Sequence, residues 1–348
     1  MATKKITMQD IAAACGLSRN TVSKVFNDRG SVPEVTRQQV LTMARQMGYR
    51  QLTVPENTPA PQGRSIALLT LCMPGRNHYG SNFISSFANR MSRAGYTLMI
   101  YEIQADEHQE CRLPANFVLE NTAGILCIEM FDRRYTDFIC QLGLPVLFSD
   151  TYARADFSAM AGDFISMENT TSSIAVTTQL IEQGARTLGF VGDHTHCNSF
   201  YERFNGFRTA LARAGLALDP KLCVVAPNSS PYGEAAWLVE QLRAMPNLPD
   251  AFVCANDYLA INLMKALKYM GLQIPSDVMV MGFDDSPEAT VAEPQLSTVH
   301  IPSSEMGFIA AGILLDRIQR PNLPYRCCYI QTTPVWRAST HALPSSPV

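Results

Sequence analysis

The chain lacks the features that would place it in a membrane or export it. No stretch of the 348 residues holds the roughly 18 consecutive apolar side chains that a membrane helix needs. Lys4 and Lys5 are not followed by the apolar run of a secretory signal. We therefore expect no membrane partner, and the cytoplasm is the expected location.

Signatures of catalysis and of metal binding are also missing. The ten cysteines are scattered, without the Cys-x-x-Cys pairs of zinc or redox sites. No G-x-S-x-G, H-E-x-x-H, Walker loop or G-x-G-x-x-G motif occurs. His194 and His196 form the only close histidine pair, and without a nearby ligand set they are more typical of a loop. We expect no enzyme, no metal and no cofactor.

Charge is sparse, at 17% of residues, and it is unevenly placed. Residues 1–50 carry eight Lys and Arg against three Asp and Glu, whereas the remainder carries 20 against 28. A basic head on an acidic body predicts that the head alone meets a polyanion such as DNA.

The head shows the periodicity of three short helices. They are predicted over Met8–Cys15, Arg19–Phe26 and about Glu34–Met47. Thr7 and Ser18 are suitable N-caps, and Gly16 lies in the turn between the first two helices. This arrangement is typical of a helix-turn-helix, whose second helix enters the major groove. A plain three-helix bundle with a solvated polar face has the same periodicity.

The residues themselves distinguish these alternatives. Thr7 to Asn27 reads T-M-Q-D-I-A-A-A-C-G-L-S-R-N-T-V-S-K-V-F-N, and V-T-R-Q-Q-V-L-T-M-A-R-Q-M-G-Y-R continues to Arg50. This closely resembles the head of the LacI/GalR family of bacterial repressors. The resemblance implies base contacts from Arg19, Asn20 and Lys24, because Arg and Lys suit guanine and Asn suits adenine. It implies phosphate contacts or a bracing role for Thr7, Ser18, Thr21, Ser23, Asn27 and Tyr49.

Residues 52–64 are predicted to be a linker between a head at 1–51 and a body at 65–342. Family members commonly carry a short hinge helix here, whose leucine wedges into the minor groove and kinks the DNA. In this chain Pro55, Pro59 and Pro61 oppose a helix, and no leucine occupies the wedge position. We expect an extended linker that does not kink the operator, with a hinge displaced by a few residues as the alternative.

The body alternates short apolar runs with amphipathic runs of helix length. This pattern predicts parallel sheets with helices on both faces, arranged as two lobes around a cleft. The first lobe is expected at about 65–165 and 298–324, and the second at about 166–295 and 326–342. A strand is predicted at Cys223–Ala226, and Asp257 and Asp285 are predicted to cap the helices that follow them.

Several segments of the body resemble the effector domain of the same family, which looks like a periplasmic sugar-binding protein. They include Y-E-R-F-N-G-F-R at 201–208, A-N-D-Y-L-A-I-N at 255–262 and V-M-V-M-G-F-D-D at 278–285. The resemblance implies effector contacts from Asp150, Arg203, Asn256 and Asp284. It also implies contacts from Tyr232, Phe83 and His78, for which a core or solvent position is an equal alternative.

The expected effector is a sugar or sugar derivative. The fork of Arg203 suits hydroxyls, phosphates, carboxylates or base carbonyls, and Asp284 favours a neutral ligand with hydroxyl or N–H donors. A nucleoside or purine ranks second, and a sugar acid or sugar phosphate third. The sequence therefore predicts a transcription regulator that represses and is released by an inducer. The solute-binding protein of a transporter is the alternative. The family's pseudo-palindromic operators, and the missing leucine heptad tail, predict a homodimer.

Overall fold

The computed structural model describes residues 7–26, 32–47, 65–71 and 79–340. The chain divides into two compact units, which meet in sequence at residues 59 and 60. The first contains the head and the second contains the body. The predicted linker at 52–64 lies outside the described residues, as does its proposed extended conformation.

The head has the three predicted helices. They are α1 (Met8–Cys15), α2 (Arg19–Phe26) and α3 (Glu34–Gln46). A small core of apolar side chains from all three helices is buried, including Ile11, Val22 and Val40. Gly16 ends α1 with a left-handed φ of 65°, a conformation that favours glycine. The sequence therefore predicted this unit to within a residue.

The body begins with alternating strands and helices. They are β1 (Ser65–Thr70), α4 (Tyr79–Arg93), β2 (Thr97–Glu102), α5 (Ala105–Gln109), β3 (Thr122–Met130), α6 (Arg133–Cys140), β4 (Val146–Thr151) and β5 (Asp163–Met167). A second run of elements follows. It comprises α7 (Thr170–Glu182), β6 (Leu188–Val191), α8 (Asn198–Arg213), α9 (Ala235–Arg243), β7 (Ala251–Cys254), α10 (Asp257–Tyr269), β8 (Met279–Met281) and α11 (Pro287–Val291). The remainder is β9 (Thr298–His300), α12 (Ser303–Gln319), β10 (Cys327–Ile330) and β11 (Thr333–Val335).

These strands form two parallel sheets and one antiparallel pair. The first sheet has the order β10-β5-β4-β3-β1-β2, the second has the order β6-β7-β8, and β9 pairs with β11. The four inner strands of the first sheet, β1, β3, β4 and β5, are nearly continuous runs of buried residues, as expected for a parallel sheet covered on both faces, whereas the edge strands β2 and β10 are more exposed. The predicted α/β class with parallel sheets is confirmed.

Two predictions for the body are wrong, one about a lobe boundary and one about a strand. β10 lies in the region assigned to the second lobe, yet it pairs with β5 in the first sheet. The buried Asp163 explains this pairing, because its carboxylate accepts hydrogen bonds from the Arg317 side chain and from the backbone and side chain of Arg326, just before β10. The strand predicted at Cys223–Ala226 is reduced to a single bridge between Val191 and Val224.

The sequence analysis did not identify α12, which packs along α4 beside the first sheet. Among the described residues, no helix is long and apolar enough to cross a membrane.

Candidate functional site

The body encloses a cavity of about 180 Å³ where strands of both sheets end. Its lining comes from β3, β4 and α8, from the segments that follow β3, β6, β7 and β8, and from the segment between α8 and α9. The lining residues are Glu129, Phe131, Asp150, His196, Cys197, Ser199, Phe200, Arg203, Asn228, Asn256 and Asp284. Parallel α/β sheets bind ligands beyond the carboxyl ends of their strands, which is where this cavity lies. The structure thus brings together the four principal residues predicted from the sequence.

Among the described residues, Arg203 is the one cationic side chain of this lining, and it is 3% exposed. Its Nε donates to Oδ1 of Asn169 at 2.9 Å, and its Nη1 donates to the carbonyl of Ala255 at 2.6 Å. The guanidinium also lies over the ring of Phe283, 3.7 Å from the centroid. These contacts fix the fork, and Nη2 makes no hydrogen bond to the described residues, so it remains available to a ligand.

Asp284 faces this guanidinium from the end of β8. Its Oδ1 lies 3.5 Å from Nη1 of Arg203, and the carboxyl is 11% exposed. Burial raises the pKa of Asp284, whereas the charge of Arg203 opposes the rise. The pair therefore presents one donor fork and one carboxyl to the same side of the cavity.

Asp150, on β4, is 3% exposed and well supplied with donors. Its Oδ2 accepts from Ser199 Oγ at 2.6 Å, and its Oδ1 accepts from the backbone N–H groups of Ser199 and Thr151 at 3.2 and 2.8 Å. Burial raises the pKa of Asp150 despite these hydrogen bonds. A ligand that reaches Asp150 has to share the carboxylate with α8.

Glu129 was missed by the sequence analysis. It lies near the end of β3, beside Asp150 on the neighbouring strand, and lines the cavity. Burial and then the charge of Asp150 raise the pKa of Glu129 to about 7. A single acidic residue in the apolar run 123–131 was the signal that could have identified it.

The amide of Asn256 has two roles. Its Oδ1 accepts the N–H of Leu259 at 3.0 Å and so caps α10, while Asn256 also lines the cavity. The caps predicted at Asp257 and Asp285 are wrong. Asp257 is buried within the fold and accepts from Ser286 N and Thr298 Oγ1. Asp285 pairs with Arg337 and His300.

Apolar surface in the cavity comes from Phe131 and Phe200, with His196 between them. The ring of His196 lies 4.7 Å from the centroid of Phe131 and 6.1 Å from that of Phe200. Burial lowers the pKa of His196 and so favours the neutral imidazole, whereas the charge of Asp193 opposes the shift. Aromatic faces beside convergent polar groups are the usual composition of a small-molecule site.

The structure does not bring Tyr232 or Phe83 to this cavity. Tyr232 is 4% exposed, and its hydroxyl donates to the carbonyl of Ala226 at 2.8 Å. Phe83 is 1% exposed and packs beside Phe87 in the core of the body. Their assignment as effector contacts is corrected to core packing. His78 lies outside the described residues.

In the head, Arg19, Asn20 and Lys24 are exposed on α2, and Asn20 and Lys24 lie one turn apart. Thr7 forms a capping box with Asp10, and Ser18 Oγ accepts the N–H of Thr21 at 3.1 Å. Thr21 and Ser23 are partly exposed on α2, and Asn27 and Tyr49 lie outside the described residues. The three residues predicted to contact bases thus lie on the exposed face of α2. Thr7 and Ser18, predicted to contact phosphates or to stabilise the head, cap α1 and α2.

A helix-turn-helix head on a two-lobed α/β domain with a polar cavity defines a ligand-responsive regulator of transcription. Residues 7–51 match the family model of bacterial regulatory proteins of the lacI family, and residues 177–340 match that of a periplasmic binding protein-like domain. The chain thus carries a DNA-binding head of the lacI family and a periplasmic binding protein-like domain, and it is a DNA-binding transcription regulator.

Similar proteins cover nearly the whole chain. The ribose operon repressor of Haemophilus influenzae is 26% identical, over 97% of this chain and 99% of its own length. The repressor CytR of Escherichia coli is 25% identical, over 97% of both chains. The repressor PurR of Vibrio campbellii is 29% identical, over 90% of this chain and 92% of its own.

Solved structures share the fold. The transcriptional regulator CelR in complex with cellobiose aligns with a TM-score of 0.69 at 24% identity, over 96% of this chain and 99% of its own. The lac repressor dimer bound to operator aligns with a TM-score of 0.67 at 20% identity, over 97% of this chain and all of its own.

Proposed function

We propose that this protein is a repressor whose affinity for its operator is set by a sugar or sugar derivative in the cavity of the body. The observation that carries the proposal is the convergence of Asp150, Arg203, Asn256 and Asp284 on one cavity that also has two aromatic faces. Carboxylates and amides accept and donate to paired hydroxyls, and aromatic rings pack against the C–H faces of a sugar.

The size of the cavity favours a small effector. A volume of about 180 Å³ is small for a ligand site and suits a monosaccharide better than a larger sugar. A nucleoside or purine is the second candidate, because the relatives include PurR and CytR as well as a ribose operon repressor. Among the described lining residues, three carboxyls against one guanidinium disfavour a sugar acid or sugar phosphate.

Effector control requires that the ligand bind two states of the body with different affinity. The cavity is lined from both sheets, with Asp150 on one side and Arg203 and Asp284 on the other. A ligand held between these groups favours one relative position of the lobes, and operator affinity changes by the same coupling free energy. Release of repression by the effector is the direction we propose.

A homodimer is the proposed assembly. β2 is an edge strand that exposes Met99 and Ile100 at 42% and 47%, and exposed edges of this kind are usually covered. Tyr269 and Val291 are exposed at 79% and 80% elsewhere on the body. A second copy is the occupant we propose, because a two-fold operator places one head on each half-site.

A regulator of this kind acts beside the chromosome in the cytoplasm, and we propose no enzymatic activity for it.

The test uses the full-length protein and operators recovered by in vitro selection from random DNA. We expect enrichment of a DNA sequence with two-fold symmetry. We also expect at least one sugar to release the protein from this DNA. Asp284→Ala is expected to bind the selected DNA but to lose the response to the sugar. Selection without enrichment contradicts the function, and a folded Asp284→Ala protein that no longer binds DNA contradicts the effector assignment.

A further inference from the structure

The direction of the Arg203 fork depends on two hydrogen bonds in the plane of the guanidinium. Stacking on the ring of Phe283, 3.7 Å from its centroid, restrains this plane but allows the group to turn within it. The carbonyl of Ala255 accepts from Nη1 at 2.6 Å, and Oδ1 of Asn169 accepts from Nε at 2.9 Å. Because the fork is rigid, two contacts in its plane are enough to fix its direction, and Asn169 supplies the second.

The amide of Asn169 is itself held in one orientation. Asn169 lies between β5 and α7 and is fully buried. Its Nδ2 donates to the carbonyl of Met167 at 2.9 Å and to Oε2 of Glu202 at 2.8 Å. A reversed amide would point its oxygen at these two acceptors and its nitrogen at the Nε donor of Arg203. The neighbours therefore fix Oδ1 as the atom that faces Arg203.

Glu202, which precedes Arg203 on α8, extends these contacts to the first sheet. Its Oε1 accepts from Nδ2 of Asn198 at 2.9 Å and from the hydroxyl of Tyr329 on β10 at 2.7 Å. With the contact from Asn169, three donors hold the two oxygens of this carboxylate. A chain of hydrogen bonds thus runs from β10 to the guanidinium in the cavity, and such chains strengthen their members cooperatively.

We propose that Asn169 is a positioning residue of the effector site, which sets the direction in which Arg203 meets the ligand. Glu202 and Tyr329 support it by fixing the orientation of its amide. This inference rests on the proposed function of the cavity and adds residues that act on the ligand through Arg203. The positioning role requires the acceptor Oδ1 of Asn169, whereas a purely structural role would require the donor Nδ2.

The first test needs no effector. The Nε–H group of Arg203 is observed by ¹⁵N NMR of the full-length protein at pH 7, and its signal is identified by its loss in Arg203→Lys. Asn169→Ala removes the acceptor, so we expect this signal to shift or to be lost through faster exchange with water. Asn169→Asp keeps an acceptor oxygen of the same reach and should retain the signal. The Nε–H of Arg317, which donates to Asp163 at 2.9 Å, is the internal reference and should be unaffected.

The second test measures affinity by isothermal titration calorimetry. D-ribose, D-glucose, D-galactose, D-fructose and adenosine are titrated into the full-length protein, and the sugar that binds most tightly is the probe for the variants. Asn169→Ala should bind this sugar at least about tenfold more weakly, since a hydrogen bond from a charged group contributes this much or more. Asn169→Asp should retain most of the affinity. Both variants lose the donor Nδ2, so both should unfold at lower urea concentration than the wild type.

Matched variants serve as controls. Asn205 on α8 also accepts from an arginine, Nη2 of Arg208 at 3.1 Å, but at an exposed site. Asn205→Ala and Asn205→Asp should leave the Arg203 signal and the sugar affinity unchanged. Glu202→Ala should alter the Arg203 signal less than Asn169→Ala does, because Met167 still holds the amide. Glu182→Ala makes the same substitution on an exposed residue of α7 and should have no effect.

The outcomes separate the positioning role from a structural one. A folded Asn169→Ala protein with an unchanged Arg203 signal contradicts the proposal. Loss of the signal and of the affinity in Asn169→Asp as well as in Asn169→Ala also contradicts it, because the donor would then be the group that matters. If none of the sugars binds the wild type, the sugar effector is wrong, and the NMR comparison alone decides the role of Asn169. Asn169→Ser replaces Asn169→Ala in both tests if the alanine variant does not fold.

Discussion

Ser199 Oγ donates to Asp150 Oδ2 at 2.6 Å and thereby joins α8 to β4 across the cavity. The backbone N–H of Ser199 adds a second contact to the same carboxylate at 3.2 Å. The carboxylate predicted to bind the effector therefore also holds together the two sides of its site. A ligand that competes for Asp150 would loosen this connection, which gives effector binding a direct route to the relative position of the lobes.

Ser199→Ala removes one donor from the buried Asp150 and should lower the free energy of unfolding of the body by about 1–3 kcal/mol. Both tryptophans, Trp237 and Trp336, lie in the body, so their fluorescence in urea reports this unit. Ser158→Ala is the matched control, because Ser158 donates to Asp156 at 2.6 Å at an exposed site. An equal decrease in the free energy of unfolding in both variants would contradict the importance of burial at Ser199.

The pH dependence of stability follows from the acidic cavity. Burial raises the pKa of Glu129 to about 7, and the pKa of Asp284 is also raised, so both bind protons on folding. Glu129 faces Asp150 and Asp284, with Arg203 and His196 in the same lining. Between the unfolded pKa of about 4 and the raised folded pKa, each of these carboxyls binds more protons in the native state than in the unfolded state. The contribution of each group to the free energy of unfolding therefore falls as pH rises.

Unfolding of the body in urea at pH 5.5 and pH 8 should show this difference. Glu129→Gln, which has no titrating group at 129, should be less sensitive to pH over this interval than the wild-type protein, and Glu182→Gln should match the wild type. A wild-type protein whose body is more stable at pH 8, with the trend unaltered by Glu129→Gln, would contradict the prediction.

The head allows base contacts and caps to be tested separately. Asn20 is exposed on α2, and its replacement by Ala should relax the preference for one base pair in each half-site, with a cost of about 1–3 kcal/mol against the preferred sequence. Lys24→Ala distinguishes base contact from phosphate contact. If Lys24 contacts a base, its loss removes the preference at one position of the half-site. If Lys24 contacts a phosphate, its loss weakens binding to all sequences equally and lowers the salt dependence of binding.

Ser18→Ala serves as the structural comparison for this experiment. Its hydroxyl caps α2 by accepting from Thr21 N, so the change should cost about 1 kcal/mol of head stability and leave the preferred base sequence unaltered. In vitro selection with each variant measures the preference. An unchanged selected sequence with Asn20→Ala would exclude Asn20 from base recognition.

The sequence predicted those parts of the structure whose cause is local. Thr7 and Ser18 were identified as caps because hydroxyls before apolar periodic runs are typical of helix starts, and both caps are confirmed. Asp150, Arg203, Asn256 and Asp284 were selected by motif, and the structure collects them at one cavity. Whether they bind an effector stays a prediction.

The parts that the sequence did not predict depend on tertiary packing. Nothing local distinguishes Phe83 in the core from an aromatic residue that faces a ligand, and the same holds for Tyr232, whose hydroxyl is satisfied by backbone carbonyls. The sequence analysis missed Glu129 because this residue belongs to no recognised motif. β10 was assigned to the second lobe because its position in the first sheet is fixed by Asp163, which lies far from it in sequence.

Gly307 is the position in the packing of α4 against α12 where a small substitution should cost most. A Cβ at Gly307 would lie 2.2 Å from the carbonyl oxygen of Phe83 and 2.9 Å from its carbonyl carbon. These are backbone atoms of α4, so the contact cannot be relieved by a side-chain rotation. Gly307→Ala therefore requires the two helices to separate, although alanine itself is the better helix former.

We expect Gly307→Ala to destabilise the body by about 1–3 kcal/mol, the usual cost of overpacking a core, measured by tryptophan fluorescence in urea. Ser304→Ala is the control on the same helix, since Ser304 is exposed one turn earlier and lines a surface groove rather than this contact. The intrinsic preference of alanine for helices would alone make Gly307→Ala more stable, by up to about 1 kcal/mol. A stabilised Gly307→Ala protein would thus show that helix propensity, and not the approach of Phe83, governs this position.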